Sequence, residues 1–342
     1  MDRLDQPVLV TGGTGFIGSH IVVELLRDGR QVVIIDDLSN SHPAVLHAVA
    51  ELGGAEPVLE VGDIRDRAFL ADVLARHRPG AAIHFAAKKA VGESVEIPAT
   101  YLDVNIGGTA TLVAALHDAG VRTLVFSSSC SVHGETDPTP LNEDSPVAPA
   151  NPYAYTKLTG EQMLARLVGA DPSWATVALR YFNPIGAHPS GLLGEAGKGR
   201  PLNIMPWLVD VASGRQPELA VFGDDWPTPD GTCVRDYLHV VDVARVHVLA
   251  LRHLEAGAAR VFNIGSGVGT SVLELIDAME EACGREIPYR IAPRRDGDVS
   301  SLVADARLVQ EEWGWRPEFT VADMCADTWR YEQQGARLSR GD

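Results

Sequence analysis

Val8-Leu9-Val10-Thr11-Gly12-Gly13-Thr14-Gly15-Phe16-Ile17-Gly18 is a short apolar run that breaks into glycines and gives way to an amphipathic stretch over 19–27. Read as strand, loop and helix, it sets Gly12, Gly15 and Gly18 three apart. There the missing Cβ atoms permit a tight turn, let the backbone approach a pyrophosphate, and let helix pack on strand. The helix N-terminus then offers N–H groups to phosphate oxygens. A glycine loop alone is a common turn, so its surroundings decide. Residues 31–35 form a second apolar strand that ends in Asp36-Asp37, about 20 residues past the glycines, where a carboxylate bonds the adenosine ribose and repels a 2′-phosphate. NAD is therefore expected over NADP.

The rhythm continues through 57–61, 81–85, 123–127 and 176–179, each apolar and separated by a helical length of chain. It predicts an α/β protein, a doubly wound parallel Rossmann sheet, followed by a smaller mixed α/β substrate-binding lobe. The expected boundaries are 1–182 for the NAD-binding domain and 183–342 for the lobe, with segments near 236–262 returning to the first. Gly62-Asp63-Ile64 closes the third strand and His84-Phe85-Ala86-Ala87-Lys88-Lys89 the fourth, at the carboxyl ends where such sheets bind ligands. Asp63 suits the adenine edge, and equally a helix N-cap for the stretch beginning at Arg65.

After the fifth strand comes Ser127-Ser128-Ser129-Cys130, and Asn151-Pro152-Tyr153-Ala154-Tyr155-Thr156-Lys157 opens a helix. Tyr153 and Lys157 lie four apart, on one helical face. An ammonium near a phenol, with an oxidised nicotinamide also nearby, favours phenolate and makes a general base for a sugar hydroxyl while hydride leaves its carbon. Ser129 can bond the same hydroxyl. Tyr and Lys four apart also occur on many solvated helix edges; the glycine loop, Asp36 and the serine strand end, in this order, favour the functional reading. Tyr155 is a rival base, but four residues on stands Thr159, which cannot assist.

Composition narrows the partners. With 46 acidic against 29 basic residues and a net charge of −17, the chain repels nucleic acid and anionic membranes. An anionic nucleotide needs locally concentrated donors, which points to Arg235 and Arg294-Arg295. Cys130, Cys233, Cys283 and Cys325 lack any CxxC spacing, so free thiols are expected rather than a zinc site or a disulfide framework. Neither a signal peptide nor a membrane span is indicated, and a cytoplasmic location is expected.

From Leu179-Arg180-Tyr181-Phe182-Asn183-Pro184-Ile185-Gly186 the chain enters a Gly- and Pro-rich stretch reaching Pro201, the mark of a lobe boundary. Polar residues beyond it gather near turns at Asn203, Phe222-Gly223, Arg235-Asp236-Tyr237 and Arg294-Arg295-Asp296-Gly297-Asp298. Phe222 can stack on uracil and the arginines can take a diphosphate. Each alone reads as well as a loop or a surface ion pair.

Five runs carry a family resemblance: residues 10–20, Lys89-Ala90-Val91-Gly92-Glu93-Ser94, Arg180-Tyr181-Phe182-Asn183-Pro184, residues 231–240, and Ala292-Pro293-Arg294-Arg295. Over essentially its whole length the chain resembles the UDP-glucose 4-epimerases of the extended short-chain dehydrogenase/reductase superfamily. The resemblance implies interconversion of UDP-glucose and UDP-galactose through oxidation at sugar carbon 4, rotation of a 4-keto intermediate and hydride return. It implies catalysis by Ser129, Tyr153 and Lys157. NAD would be held by Gly12, Gly15, Phe16, Ile17, Gly18, Asp36, Asp37, Asn40, Asp63, Ile64, Phe85, Ala86, Ala87, Lys89, Ser127, Tyr153, Lys157 and Phe182. The UDP-sugar would meet Lys89, Ser129, Tyr153, Asn183, Asn203, Ala220, Val221, Phe222, Arg235, Arg295 and Asp298. It further implies a homodimer, formed by helices within 96–118 and 152–168, and no metal. Val104 stands where the family often has an NAD-contacting asparagine, His133 where it often has a tyrosine, and Leu302 at a position linked to acceptance of N-acetylated sugars. Epimerisation of UDP-N-acetylhexosamines or UDP-pentoses stays open. A 4,6-dehydratase needs an Asp-Glu pair where Cys130-Ser131 stand, a decarboxylase needs an arginine for its substrate's carboxylate that cannot be assigned, and a non-catalytic NAD sensor would be expected to lose Tyr153 or Lys157.

Overall fold

A computed structural model describes residues 6–134, 140–196, 198, 201, 203–295 and 298–334. Strands β1 (Val8–Thr11), β2 (Val32–Asp36), β3 (Val58–Val61), β4 (Ala81–His84), β5 (Thr123–Ser129) and β6 (Ala175–Tyr181) alternate with helices. The helices are α1 (Phe16–Arg27), α2 (Val45–Gly53), α3 (Arg67–His77), a broken run of α4 (Val91–Glu96), α5 (Pro98–Tyr101), a π-helical turn at Leu102–Gly107 and α6 (Gly108–Asp118), and then α7 (Pro152–Ala170). Beyond them come β7 (Asn183–Ile185), α8 (Ile204–Ala212), β8 (Leu219–Phe222), β9 (Val234–His239), α9 (Val240–His253), β10 (Ala259–Ile264), β11 (Gly269–Ser271), α10 (Val272–Cys283), β12 (Tyr289–Ala292), β13 (Ser301–Leu302), α11 (Arg307–Trp313) and α12 (Val321–Gln333).

Every residue of β1, β2, β4 and β6 is buried, which is why these strands read as unbroken apolar runs rather than alternating ones. They belong to a seven-stranded sheet of order β10-β6-β5-β4-β1-β2-β3. The pairings of β1 with β2 and β4, of β2 with β3 and of β4 with β5 are parallel. The winding reverses between β1 and β4, the crevice where such sheets bind ligands. The observed strands start or end within one or two residues of the expected runs, and β10 adds a seventh. Helix starts follow local chemistry. Asn151 caps α7 through Ala154 N–H, with Pro152 in the first turn. Asp66, not Asp63, caps α3, accepting from Ala68 and Phe69; this corrects the N-cap alternative for Asp63.

The chain divides into two compact units, each with its own apolar core. The first comprises Met1–Gly134, Val147–Arg180 and Ala244–Phe262; the second comprises Glu135–Pro146, Tyr181–Val243 and Asn263–Asp342. The division differs from the expected 1–182 and 183–342. Tyr181 and Phe182 fall in the second unit, and the returning segment begins at Ala244 rather than near 236, because β9 pairs with β7, β11 and β13. The stretch before Val147 joins the second unit because Leu141 bridges to Ala304 and exchanges backbone hydrogen bonds with Val303 and Asp305. Among the described residues no helix is long and apolar enough to cross a membrane.

Candidate active site

In the first unit the glycine loop is set by close packing. Gly12 has φ 72°, and a Cβ there would lie 2.8 Å from Ala86 N; a Cβ on Gly18 would run into the Gly12 carbonyl. Gly15 meets only Gly12 O at 3.4 Å, so space remains over it, and as N-cap of α1 it supplies no side chain to the first N–H groups of that helix. Phe16 and Ile17 open α1, with Phe16 edge-on to His20 at 5.4 Å. The Asp36 carboxylate accepts from Thr14 N–H (3.1 Å), Leu38 N–H (3.0 Å) and the Ser41 hydroxyl (3.1 Å), folding its own loop against the glycines. Asp37 bonds Ser39, and both Asp37 and Asn40 are exposed in that loop.

Asp63 is paired with the Arg65 guanidinium, which holds its carboxyl below the usual range. Ile64 is buried against Gly108. Phe85, Ala86 and Ala87 leave β4 half-buried, the Phe85 ring 4.9 Å from that of His247, and Lys89 is exposed. This segment is held by Asn105, which the sequence reading passed over for its neighbour Val104. Asn105 accepts from Lys88 N–H (2.8 Å) and donates to Lys88 O (3.0 Å) and to Thr156 Oγ1 (3.0 Å). The π-helical turn that carries it is the only signal, and sequence does not announce such turns.

On α7, Tyr153 and Lys157 share a face over the end of β5. The Ser129 side chain acts on the Tyr153 phenol and lowers it, and its hydroxyl receives Ser131 N–H and Oγ–H. Lys157 Nζ donates to Ser127 O at 2.8 Å and lies 5.8 Å from the centre of the Tyr153 ring. Burial pulls the lysine down to about 8, Glu161 opposing it. The expected net lowering of the phenol is corrected. Burial pushes Tyr153 up to about 12, with the Ser129 side chain opposing it. Tyr155 is 53% exposed on the other side of α7, which removes the rival base. Beneath, His84 bonds Thr11 and Thr109, and burial with the nearby Lys157 charge takes it down to about 3, so it is neutral. His133 is wholly buried in the turn after β5.

In the second unit, β8 carries Ala220, Val221 and Phe222, paired in parallel with Arg290, Ile291 and Ala292 of β12. The Arg295 guanidinium lies 4.6 Å over the Phe222 ring and pairs with Asp298 at 2.9 Å; Arg294 lies 3.8 Å over Trp226. Arg235, Arg295 and Asp298 all act electrostatically on the buried Cys233 thiol, so these three side chains share one neighbourhood. Leu302 of β13 stands in register with Arg235. Asp236 and Tyr237, grouped with Arg235 in the sequence reading, are buried. Asp236 accepts from Ser266, Gly267 and Ala304 and knits three segments together. Asn183 donates to Asp236 O at 3.3 Å, Phe182 N–H to Ile264 O at 3.1 Å, and Asn203, which starts α8, to Glu195 at 3.4 Å. No described contact brings Asn203 to the arginines. Asp296 and Gly297 lie outside the described residues.

Residues 8–265 match the model of the NAD dependent epimerase/dehydratase family. The chain is 48% identical over 329 residues to the UDP-glucose 4-epimerase of Yersinia pestis, covering 96% of this chain and 97% of that one. It is 47% identical over 337 residues to the UDP-glucose 4-epimerase of Mus musculus, covering 96% and 97%. Among solved structures it is similar to the UDP-glucose 4-epimerase of Stenotrophomonas maltophila with bound NAD and formylated UDP-arabinopyranose (TM-score 0.93, 48% identity, 97% of this chain and 99% of that one). It is also similar to that of Bifidobacterium longum in complex with NAD+ and UDP (TM-score 0.94, 45% identity, 96% and 98%).

Proposed function

The chain belongs to the NAD dependent epimerase/dehydratase family, and from that premise we propose that it interconverts UDP-glucose and UDP-galactose by inverting carbon 4 of the hexose. The activity is NAD-dependent UDP-sugar 4-epimerisation. The observation that carries it from geometry is the trio at the end of β5: the Tyr153 phenol beside Ser129, with the Lys157 ammonium 5.8 Å from the ring centre and fixed on Ser127 O. Cys130 and Ser131, where a dehydratase needs two carboxylates, are a buried thiol and a hydroxyl turned onto Ser129.

The residues present fit NAD. Space over Gly15, crowding at Gly12 and Gly18, and a first turn of α1 free of a capping side chain suit a pyrophosphate, and Asp36 at the end of β2 suits an unphosphorylated ribose. The chemistry NAD supplies when bound is reversible acceptance of a hydride, and its oxidised ring adds a positive charge. Tyr153, as phenolate, takes the proton of the sugar's 4-hydroxyl as the C4–H electron pair departs, and returns it when the pair comes back to the other face of the keto carbon. Burial alone would keep the phenol protonated. A unit charge about 6 Å away at an effective dielectric of ~20 is worth about 3 kcal/mol, roughly two pH units, and Lys157 supplies such a charge. Ser129 bonds the same oxygen centre. Phe222, Arg235 and Arg295 grip the UDP, while no rigid pocket for the hexose is required, since two opposed sugar orientations must be accepted equally.

Val91 and Val95 of α4, Ile97 just after it, Leu102 of the π-helical turn and Tyr155 of α7 are exposed apolar residues on elements packed against one another, which supports a homodimer built through this region. Four free cysteines support a reducing, cytoplasmic setting. The test of the function is incubation of the purified protein with UDP-galactose, with UDP-GlcNAc and UDP-xylose in parallel, and product identification by NMR. UDP-glucose should form without stoichiometric NADH; net NADH would mean an ordinary dehydrogenase.

A further inference from the structure

Below the proposed base lies a buried charge pair to which the chemistry above assigns nothing. Glu161 stands one turn beyond Lys157 on the same face of α7. Its carboxylate is gripped on both oxygens: Oε1 accepts from Arg180 Nε at 2.8 Å and from Ser128 Oγ at 2.5 Å, and Oε2 from Arg180 Nη2 at 2.7 Å. The Glu161 and Arg180 side chains are 5% and 6% exposed. Ser128 adjoins Ser127, whose carbonyl receives Lys157. Lys157, Glu161 and Arg180 thus make an alternating set of charges from α7 and β6, tied at two points to β5.

A buried arginine–carboxylate pair does little for a core that apolar residues of the same volume would not do as well. Among the described residues Arg180 Nη1 is moreover buried without a hydrogen-bond partner, so the guanidinium is not there to satisfy its own donors. We propose that Glu161 is a positioning residue for the epimerisation, held in place by Arg180 and Ser128 so that its carboxylate keeps the Lys157 ammonium charged inside the core. The proposal rests on the role given to Lys157 above.

The charge logic is one-sided. A guanidinium does not give up its proton in a protein, so if Glu161 lost its charge Arg180 would remain as an uncompensated cation and Lys157 would be the group to yield. The other titratable and charged groups near Lys157 and Tyr153 do not replace that carboxylate. His84 of β4 is neutral, Cys130 follows β5, and Tyr101 of α5 is bonded to Glu93 of α4, which is itself paired with Lys88. Burial draws Lys157 down, and the influence that raises it comes from Glu161.

The chain has four lysines, Lys88, Lys89, Lys157 and Lys198, so a 13Cε-lysine NMR titration of the holoenzyme resolves Lys157, assigned by its loss in Lys157→Arg. Glu161→Gln should lower the Lys157 midpoint by about one pH unit or more, a tenfold change in the protonated fraction. The alkaline limb of kcat should follow it, with KM for UDP-galactose unchanged. Glu161→Gln/Arg180→Met, which removes both members of the buried pair and so leaves no uncompensated guanidinium, should show a smaller downward shift, and it carries the test if the single variant fails to fold. A Lys157 midpoint and alkaline limb that stay at the wild-type position overturn the proposal, including when activity falls, since that would be a packing effect. Near-normal turnover in Lys157→Met would instead remove the underlying reading of Lys157, whatever Glu161 does.

Discussion

Lys157 Nζ donates to the Ser127 carbonyl at 2.8 Å, so the strand that presents Ser129 to the Tyr153 phenol also anchors the ammonium behind it. One strand end therefore fixes both neighbours of the proposed base, and that phenol arrives from a helix whose start is set by Asn151 and Pro152. Precision here comes from regular elements rather than from loops.

Tyr153→Phe removes the phenolic oxygen and little else. We expect kcat to fall by ~10²–10⁴-fold, with KM and the NAD carried through purification nearly unchanged. Steady-state assay and release of cofactor on denaturation check both, and near-normal turnover would take Tyr153 out of the role.

The glycines should separate stability from cofactor affinity. Gly18→Ala drives a Cβ into the Gly12 carbonyl and should cost about 1–3 kcal/mol in denaturant unfolding. Gly15→Ala has ordinary contact distances, 3.4 Å to Gly12 O, so the fold should keep its stability while NAD binds more weakly. Equal losses of stability in the two variants would contradict this packing.

Phe222→Ala and Arg295→Ala should weaken UDP by ~10–100-fold in calorimetry, the scale of a lost charge-assisted or stacking contact. Because the Arg295–Asp298 pair is exposed on the arginine side, its removal should leave thermal stability within a fraction of a kcal/mol. Unchanged UDP affinity would exclude these residues from the grip.

His84 sets a pH dependence of stability whose sign is fixed. Its value falls from 6.5 to about 3 on folding, so the unfolded chain takes the proton first; stability is full above about pH 6.5 and declines as pH falls toward 3. Between pH 7.5 and 5 this contributes about 2 kcal/mol. Urea unfolding of His84→Gln at the two pH values should show a drop smaller by that amount; an equal drop would mean His84 titrates normally.

Val95→Glu with Leu102→Glu, placed on the exposed face of the α4–α5 region, should yield monomers in light scattering if this patch is the dimer contact. A dimer that persists would move the contact elsewhere.

Much of the framework was legible because each buried strand is an apolar run that ends in a residue with chemistry: Thr11 before the glycines, Asp36, His84, Ser129. What escaped has no local signature. Asp63 and Asp66 both precede a helical stretch, and only backbone geometry decides that Asp66 is the cap. Asn105 reaches Lys88 and Thr156 across 17 and 51 positions, and Glu161 finds Arg180 across 19, spacings that no periodicity rule encodes. The phenol's high value follows from burial, which spacing on a helix does not report.

The chain passes between its two compact units after Gly134, Pro146, Arg180, Val243 and Phe262. Neither unit is a single stretch of gene. Recombination that swapped the second unit for a relative's would have to exchange three separate stretches together, so the unit is altered more readily by point changes than by transplanting a block.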